Sequence, residues 1–303
     1  MFIPRIRNLE LYGSDSCRAN IVLLQKKYNT EFRIFDGVFF RNYRGEESRK
    51  GYAFPLLVAG TEAENYDYLK FALEYIIQQA KNAKEEPSLC LITQEQKKLI
   101  DDCLARNFPN YKVLWKTNKD DCDYIYLREN LALLPGSNYQ KKRNHVSRFN
   151  RIYGNSWKYK AYPQNEISSD ILKVAQTWYE EKISEGENKT LNLELQGIRE
   201  ALEKTQELQM QGGVLYVNES PIAMTLASPI SDCVMDVIYE KAVSAYEKDG
   251  AYAVINQQFA KRCEGFLYLN REEDMGIEGI RKAKLSYKPS ILLEKFYGKI
   301  VSI

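Results

Sequence analysis

The sequence predicts an α/β protein with mixed sheets, divided into two domains at 1–135 and 136–303. Three observations carry this prediction. Stretches with helical apolar spacing alternate with short apolar runs, each half holds one hairpin signal, and the order of elements in the first half returns in the second. A chain of 303 residues is long enough for two hydrophobic cores.

A first helix is expected around residues 16–28. "FRIFDGVFFRNY" then reads as a hairpin, because Asp36-Gly37 supplies the turn chemistry between two apolar runs. "GYAFPLL" extends that sheet. "YDYLKFALEYIIQQAKNA" places Leu69, Leu73, Ile76, Ile77 and Ala80 at helical spacing; "SLCLIT" is a short buried strand, and Thr93 caps the helix "QEQKKLIDDCLARNF". "YKVLW" and "DYIYL" complete the first half as strands. In the second half "WKYKAY" is a strand, 168–186 and 191–209 are helices, and "GGVLYV" and "PIAMTLA" form a hairpin about residues 218–220. "CVMDVIYEK" is a long strand. Helix, strand, helix and strand follow in "AYAVINQQFAKRC", "FLYLN", "GIEGIRKAKLSY" and "SILLEKF", with Pro289 as a stop.

Composition bounds the function. Hydrophobic residues make up 44% and charged residues 28%, a globular profile, and the net charge of +2 gives no general pull toward DNA or anionic membranes. Pro4, Arg5 and Arg7 interrupt any signal-peptide core, and no apolar run approaches the ~18 residues a membrane span needs, so a cytoplasmic protein without a span is expected. The six cysteines are scattered without a C-x-x-C pair and there is a single histidine, so they read as reduced core thiols and no metal site is expected. Phosphate-binding P-loops, G-x-G-x-x-G turns after a strand and H-E-x-x-H are all absent.

Charge is nevertheless segregated. From Asn130 through Gln164 there is no acid, yet the stretch holds Lys141, Lys142, Arg143, Arg148, Arg151, Lys158, Lys160 and the histidine, His145. On a helix, Tyr139, Val146, Phe149 and Tyr153 form an apolar side while Lys141, His145, Arg148 and Arg151 line much of the other. With Arg143, these residues suit an anion grip; a solvated linking helix is the alternative. His145 reads either as a base or donor or as a structural histidine.

The element order looks like the GNAT fold of acyl-CoA N-acyltransferases, present twice. Four stretches make the likeness specific: "DSCRANIVLLQKKYNTEFRIFDG", "DYIYLRENLALLPGSNYQKKRNHVSRF", "VIYEKAVSAYEKDGAYAVINQQFAKR" and "YLNREEDMGIEGIRKAKLSYKP". Together they resemble the bacterial family that shares the C-terminal domain of phosphatidylglycerol lysyltransferase, a tandem GNAT-fold group. The resemblance implies transfer of an acyl or aminoacyl group from aminoacyl-tRNA or acyl-CoA to an amine or hydroxyl, with the donor as substrate and no tightly bound cofactor. Oligomeric state and acceptor do not follow from it.

Within that frame, Gly250 and Ala251 open a helix after the long strand, where backbone N–H groups suit a donor pyrophosphate; an ordinary helix start is the alternative. Strand alternation puts Asp236 and Glu240 on one face, where paired carboxylates would raise one another's pKa, so Glu240 is the expected base; two strand carboxylates paired to lysines are the alternative. The resemblance further implies that Lys241, Arg271, Arg281 and Lys284 hold the donor and that Tyr287 protonates the leaving group. Two other readings stand beside the transferase: an anion-binding module of the same fold without turnover, and an interaction protein whose basic segment meets an acidic partner.

Overall fold

A computed structural model describes residues 12–45, 49–59, 61, 67–184 and 190–303. The first helix, α1 (Arg18–Leu23), is shorter than its pattern suggests. Strands β1 (Thr30–Phe35) and β2 (Val38–Arg44) form the expected hairpin, with Phe35 facing Val38 across a two-residue turn whose Asp36 and Gly37 both have positive φ, 48° and 73°. "GYAFPLL" yields two pieces, β3 (Lys50–Tyr52) and β4 (Leu56–Leu57), on either side of Pro55, which cannot donate to a ladder. Helix α2 (Tyr68–Ala83) buries Leu69, Leu73, Ile76, Ile77 and Ala80, the stripe its spacing foretold. Strand β5 (Ser88–Ile92) leads into α3 (Gln94–Asn107), where Thr93 and Gln96 complete a capping box, and then β6 (Tyr111–Thr117).

Strand β7 (Asp123–Leu127) and the short α4 (Arg128–Leu133) precede the basic helix α5 (Gln140–Tyr153). Next come β8 (Trp157–Tyr162), α6 (Ser168–Ser184), α7 (Thr190–Glu203), β9 (Gln211–Val217), β10 (Ser220–Pro229) and β11 (Val234–Ala242). A single turn, α8 (Ser244–Glu247), leads to α9 (Ala251–Arg262), β12 (Tyr268–Asn270), α10 (Glu278–Leu285), β13 (Ile291–Leu293) and β14 (Phe296–Ser302).

Two compact units result. Among the described residues one comprises 25–122 with 293–303, the other 12–24 with 123–292. The first has a sheet ordered β1-β2-β3-β5-β14-β6, with β4 beside β2; the second is ordered β13-β7-β12-β11-β10-β9-β8. Both are GNAT-type sheets: an antiparallel hairpin leads to a strand that lies parallel to the strand after the next helix. That parallel pair is β3/β5 in the first unit and β11/β12 in the second. The sequence boundary at 135/136 is not the line along which the chain packs. β7 pairs with β12, and β14, from the far end of the chain, fills the place between β5 and β6. In the second unit α1, α6 and α7 contribute Leu23, Ile171 and Ile198 to the core on one side of the sheet, and α4 and α9 contribute Leu131 and Phe259 on the other.

Candidate functional site

The second unit's parallel strands pair only from Val234↔Tyr268 to Asp236↔Asn270; beyond that β11 continues six residues to Ala242 while β12 ends. The β11/β12 ladder is therefore three residue pairs long, and Glu240 lies on the part of β11 beyond it. A bulge sits at the same place. The register with β10 passes from Leu226↔Tyr239 to Ala227↔Val237, leaving Ile238 as an extra residue on β11.

That extra residue overturns the expectation that Asp236 and Glu240 share a face, since one inserted residue reverses every side chain beyond it. Met235 and Val237 pack with Phe259 of α9, whereas Ile238 and Tyr239 pack with α6 and α7 residues; Ala242 is back against α9. Asp236 accordingly meets Asn20 of α1 (3.4 Å) and raises the pKa of Glu272, which burial has already pushed up. Glu240 faces the α9 side and pairs with Arg271.

Glu240 is the centre of a buried polar cluster. Its side chain is 9% exposed, one oxygen accepts from Arg271 at 2.8 Å, and the other accepts from the Asn256 amide at 3.3 Å. The Arg271 guanidinium lies 5.1 Å from the ring centroid of Tyr287 and 5.8 Å from that of Tyr126. Burial works against its charge, but Glu240 and both tyrosines more than offset this and raise its pKa. Lys142 of α5 rests 3.7 Å from the Tyr287 ring centroid. Its pKa is lowered to about 8, first by burial and then by Arg271, against the pull of Glu240. Tyr287 is buried, and that burial, opposed by Arg271 and assisted by Glu240, pushes its hydroxyl up to about 12. The phenol keeps its proton at neutral pH, the state a proton donor requires. Three buried atoms around this carboxylate have no hydrogen-bond partner among the described residues: Arg271 Nη1, Asn256 Oδ1 and Thr225 Oγ1. Thr225 is the cross-strand partner of Glu240, so the two share a face.

Gly250 has a different neighbour from the one expected. Its φ is +110°, and a Cβ built there would stand 2.6 Å from the carbonyl oxygen of His145. The close approach it permits is that of helix α5, which lies on the turn where a pyrophosphate was expected. Asp249 ties the same contact, accepting from Arg148 (3.2 Å) and from the Tyr153 hydroxyl (2.8 Å). Gly250 and Ala251 therefore start a helix whose entrance α5 covers. His145 has its pKa lowered by burial and by the charges of Lys142 and Arg148, so its ring is neutral at pH 7. Lys141, His145, Arg148 and Arg151 form the exposed side of α5, while Tyr139 and Phe149 are buried beneath it.

The other expected donor-binding residues are engaged with the protein. Arg281 makes a two-pronged pair with the fully buried Asp274, at 2.7 and 2.8 Å. Lys284 donates to the backbone carbonyls of Arg271, Glu272 and Glu273, which fixes the backbone that carries Arg271. Lys241 pairs with Glu194 of α7 at 2.7 Å and stands over the Trp178 ring, across the sheet from Glu240. Arg143 donates to the carbonyl oxygens of Leu134 and Gly136, closing the loop after α4. Arg271 and Tyr287 thus join Glu240, while Asp236, Lys241, Arg281 and Lys284 serve elsewhere. Lys142, Asn256 and Thr225 complete the cluster; of these, only Lys142 carried any sequence signal.

The first unit has a concavity of about 1270 Å³, lined by Arg44, Tyr52, Tyr75 and Trp115 among others. Its charges largely neutralise one another: Arg44 pairs with Glu31 and Glu85, and Lys299 with Glu86.

Two GNAT-type sheets define the fold class. The chain belongs to the family described as phosphatidylglycerol lysyltransferase, C-terminal, whose model matches residues 6–298. A conserved protein of unknown function from Bacteroides thetaiotaomicron is 30% identical, with a TM-score of 0.83 over 96% of this chain and 93% of that one. The C-terminal domain of a putative lysylphosphatidylglycerol synthetase from Agrobacterium fabrum shares the fold at 12% identity, with a TM-score of 0.59 over 91% of this chain and 86% of that one. An uncharacterized protein of Mycoplasmoides gallisepticum is 23% identical over 61% of this chain, and the match spans 58% of that relative's length. Among the described residues no helix is long and apolar enough to cross a membrane.

Proposed function

We propose that the second unit transfers an aminoacyl group from aminoacyl-tRNA to an amine or hydroxyl acceptor, and that coenzyme A is not its donor. The observation that carries this choice is the seating of α5 on the turn before α9: the Gly250 side that a diphosphate would approach faces the His145 backbone instead. The same helix turns Lys141, His145, Arg148 and Arg151 outward. An exposed row of cations suits a phosphate backbone better than a single diphosphate.

In the transfer, the acceptor's lone pair attacks the ester carbonyl, a C–N or C–O bond forms, and the bond to the tRNA 3′-oxygen breaks. The acceptor's proton goes to Lys142, whose pKa near 8 leaves a usable neutral fraction at neutral pH. Tyr287 supplies a proton to the departing oxygen. Glu240, held by Arg271 and Asn256, is a positioning residue in this reading and not the base.

Titration of the purified protein with bulk tRNA and with coenzyme A at several salt concentrations tests the donor. The expected result is salt-dependent tRNA binding whose log–log slope falls by about 0.7 to 0.9 for each of Lys141→Ala and Arg151→Ala. Saturable coenzyme A binding without tRNA binding would reverse the assignment.

A further inference from the structure

We infer that the cluster around Glu240 selects an acidic aminoacyl group, one carrying a carboxylate as well as its α-ammonium, over a lysyl group. The inference rests on the reading that this cluster handles the transferred group, and its ground is the set of buried polar atoms left over after the protein has bonded to itself. Buried polar groups in folded proteins are nearly always paired, so three unpaired ones around one carboxylate mark a place that is completed by something else.

The kind of unpaired atom decides the kind of ligand. Arg271 Nη1 is a cationic donor and is satisfied only by an acceptor, best an anionic one. Its sister nitrogen is already committed to Glu240 at 2.8 Å. Asn256 Oδ1 accepts only, and the Thr225 hydroxyl both accepts and donates. A group that answers all three needs one acceptor, best an anion, and at least one N–H donor. The α-ammonium and side-chain carboxylate of an aspartyl or glutamyl ester supply both. A lysyl group offers Arg271 Nη1 only its neutral ester carbonyl, and sets a second cation beside a guanidinium and the Lys142 amine. A leucyl group offers only its ammonium and the same neutral carbonyl.

Mobility of the cluster would blur such selection, and the protein limits it. Lys284 holds the Arg271 carbonyl, the Arg271 head stands against Tyr287 and Tyr126, and Thr225 and Glu240 are fixed in paired strands. The donor set is therefore built in advance of the ligand.

The test uses the α-amides of glutamic acid, aspartic acid, lysine and leucine, which keep the α-ammonium and replace the ester by an uncharged carboxamide. Isothermal titration of the intact protein should show one of the two acidic amides binding at least tenfold tighter than lysine amide. Thr225→Val, which preserves shape and removes the hydroxyl, should weaken that amide about fivefold while the circular dichroism spectrum stays unchanged. Lysine amide binding as tightly as the acidic amides overturns the inference, as does failure of every amide to bind at tens of millimolar. An acidic preference that Thr225→Val leaves untouched places the selection elsewhere and overturns it too. These amides carry no tRNA, so a protein that ranks them as expected but ignores tRNA refutes the donor reading alone.

Discussion

At the scale of single residues, the decisive event is one extra residue on β11. Strand alternation places Asp236 and Glu240 together, and it fails because Ile238 is a bulge that follows from pairing with β10, which alternation within β11 does not contain. The basic stretch was legible because charge is local and countable. Thr225 and Asn256 were not, since uncharged side chains gain their meaning only when burial leaves them unpaired. Lys142 lay within the legible stretch but looked like its neighbours until burial set it apart. That burial has a cost. Lys142 has a folded pKa of about 8 against an ordinary Lys value of about 10.4, so between those values the unfolded chain binds more protons and stability rises with pH. Below pH 8 the charged amine is carried at full penalty. Replacing Lys142 with Met should therefore stabilise the protein at pH 7 by about 1 kcal/mol, a value discounted for the side chain's remaining solvent contact, with the gain fading above pH 10. Urea unfolding of both proteins at pH 7 and pH 10.5 checks this; an equal difference at the two pH values would refute it.

At the scale of elements, the contact between α5 and the turn before α9 joins the site to its proposed donor. It depends on Gly250, which meets two demands at once: a φ of +110° and the absence of a Cβ where the His145 carbonyl oxygen would be 2.6 Å away. A backbone carbonyl cannot swing aside as a side-chain tip can. Gly250→Ala should therefore cost about 2–4 kcal/mol and loosen α5, read as a lower urea midpoint and faster amide exchange in residues 140–153. An unchanged midpoint would mean that the two elements are not in contact as described. Helix positions were legible here because apolar spacing and the Thr93 cap are local signals, and the glycine itself was noticed. Its purpose was not, because a glycine that admits a ligand and one that admits a helix look alike in sequence.

At the scale of the whole molecule, the order of elements was readable and their membership was not. Periodicity says that a segment is a strand, but pairing across the length of the chain decides whose strand it is. β14 illustrates the difference: it follows directly from the second unit's segments, yet it pairs with β6 from Phe296↔Thr117 to Ser302↔Tyr111 and with β5 on its other edge. Its Tyr297 hydroxyl also bonds the Asp121 carboxylate at 2.8 Å within the first unit, and Lys295 just before it is buried. A sheet that loses an interior strand exposes two rows of unpaired backbone groups and the apolar faces between them, which neither β5 nor β6 can cover alone. Deleting residues 293–303 should consequently unfold the first unit, although in sequence the missing residues lie far beyond the 25–122 segment that makes up most of it. Of the deleted residues the second unit's sheet contains only Leu293, the last residue of its edge strand β13, and that sheet is expected to persist. Limited proteolysis followed by mass spectrometry separates the two outcomes: rapid cleavage within 25–122 with protection of 123–292 is expected. Continued protection of 25–122 would show that β14 is an accessory to that sheet and not one of its interior strands.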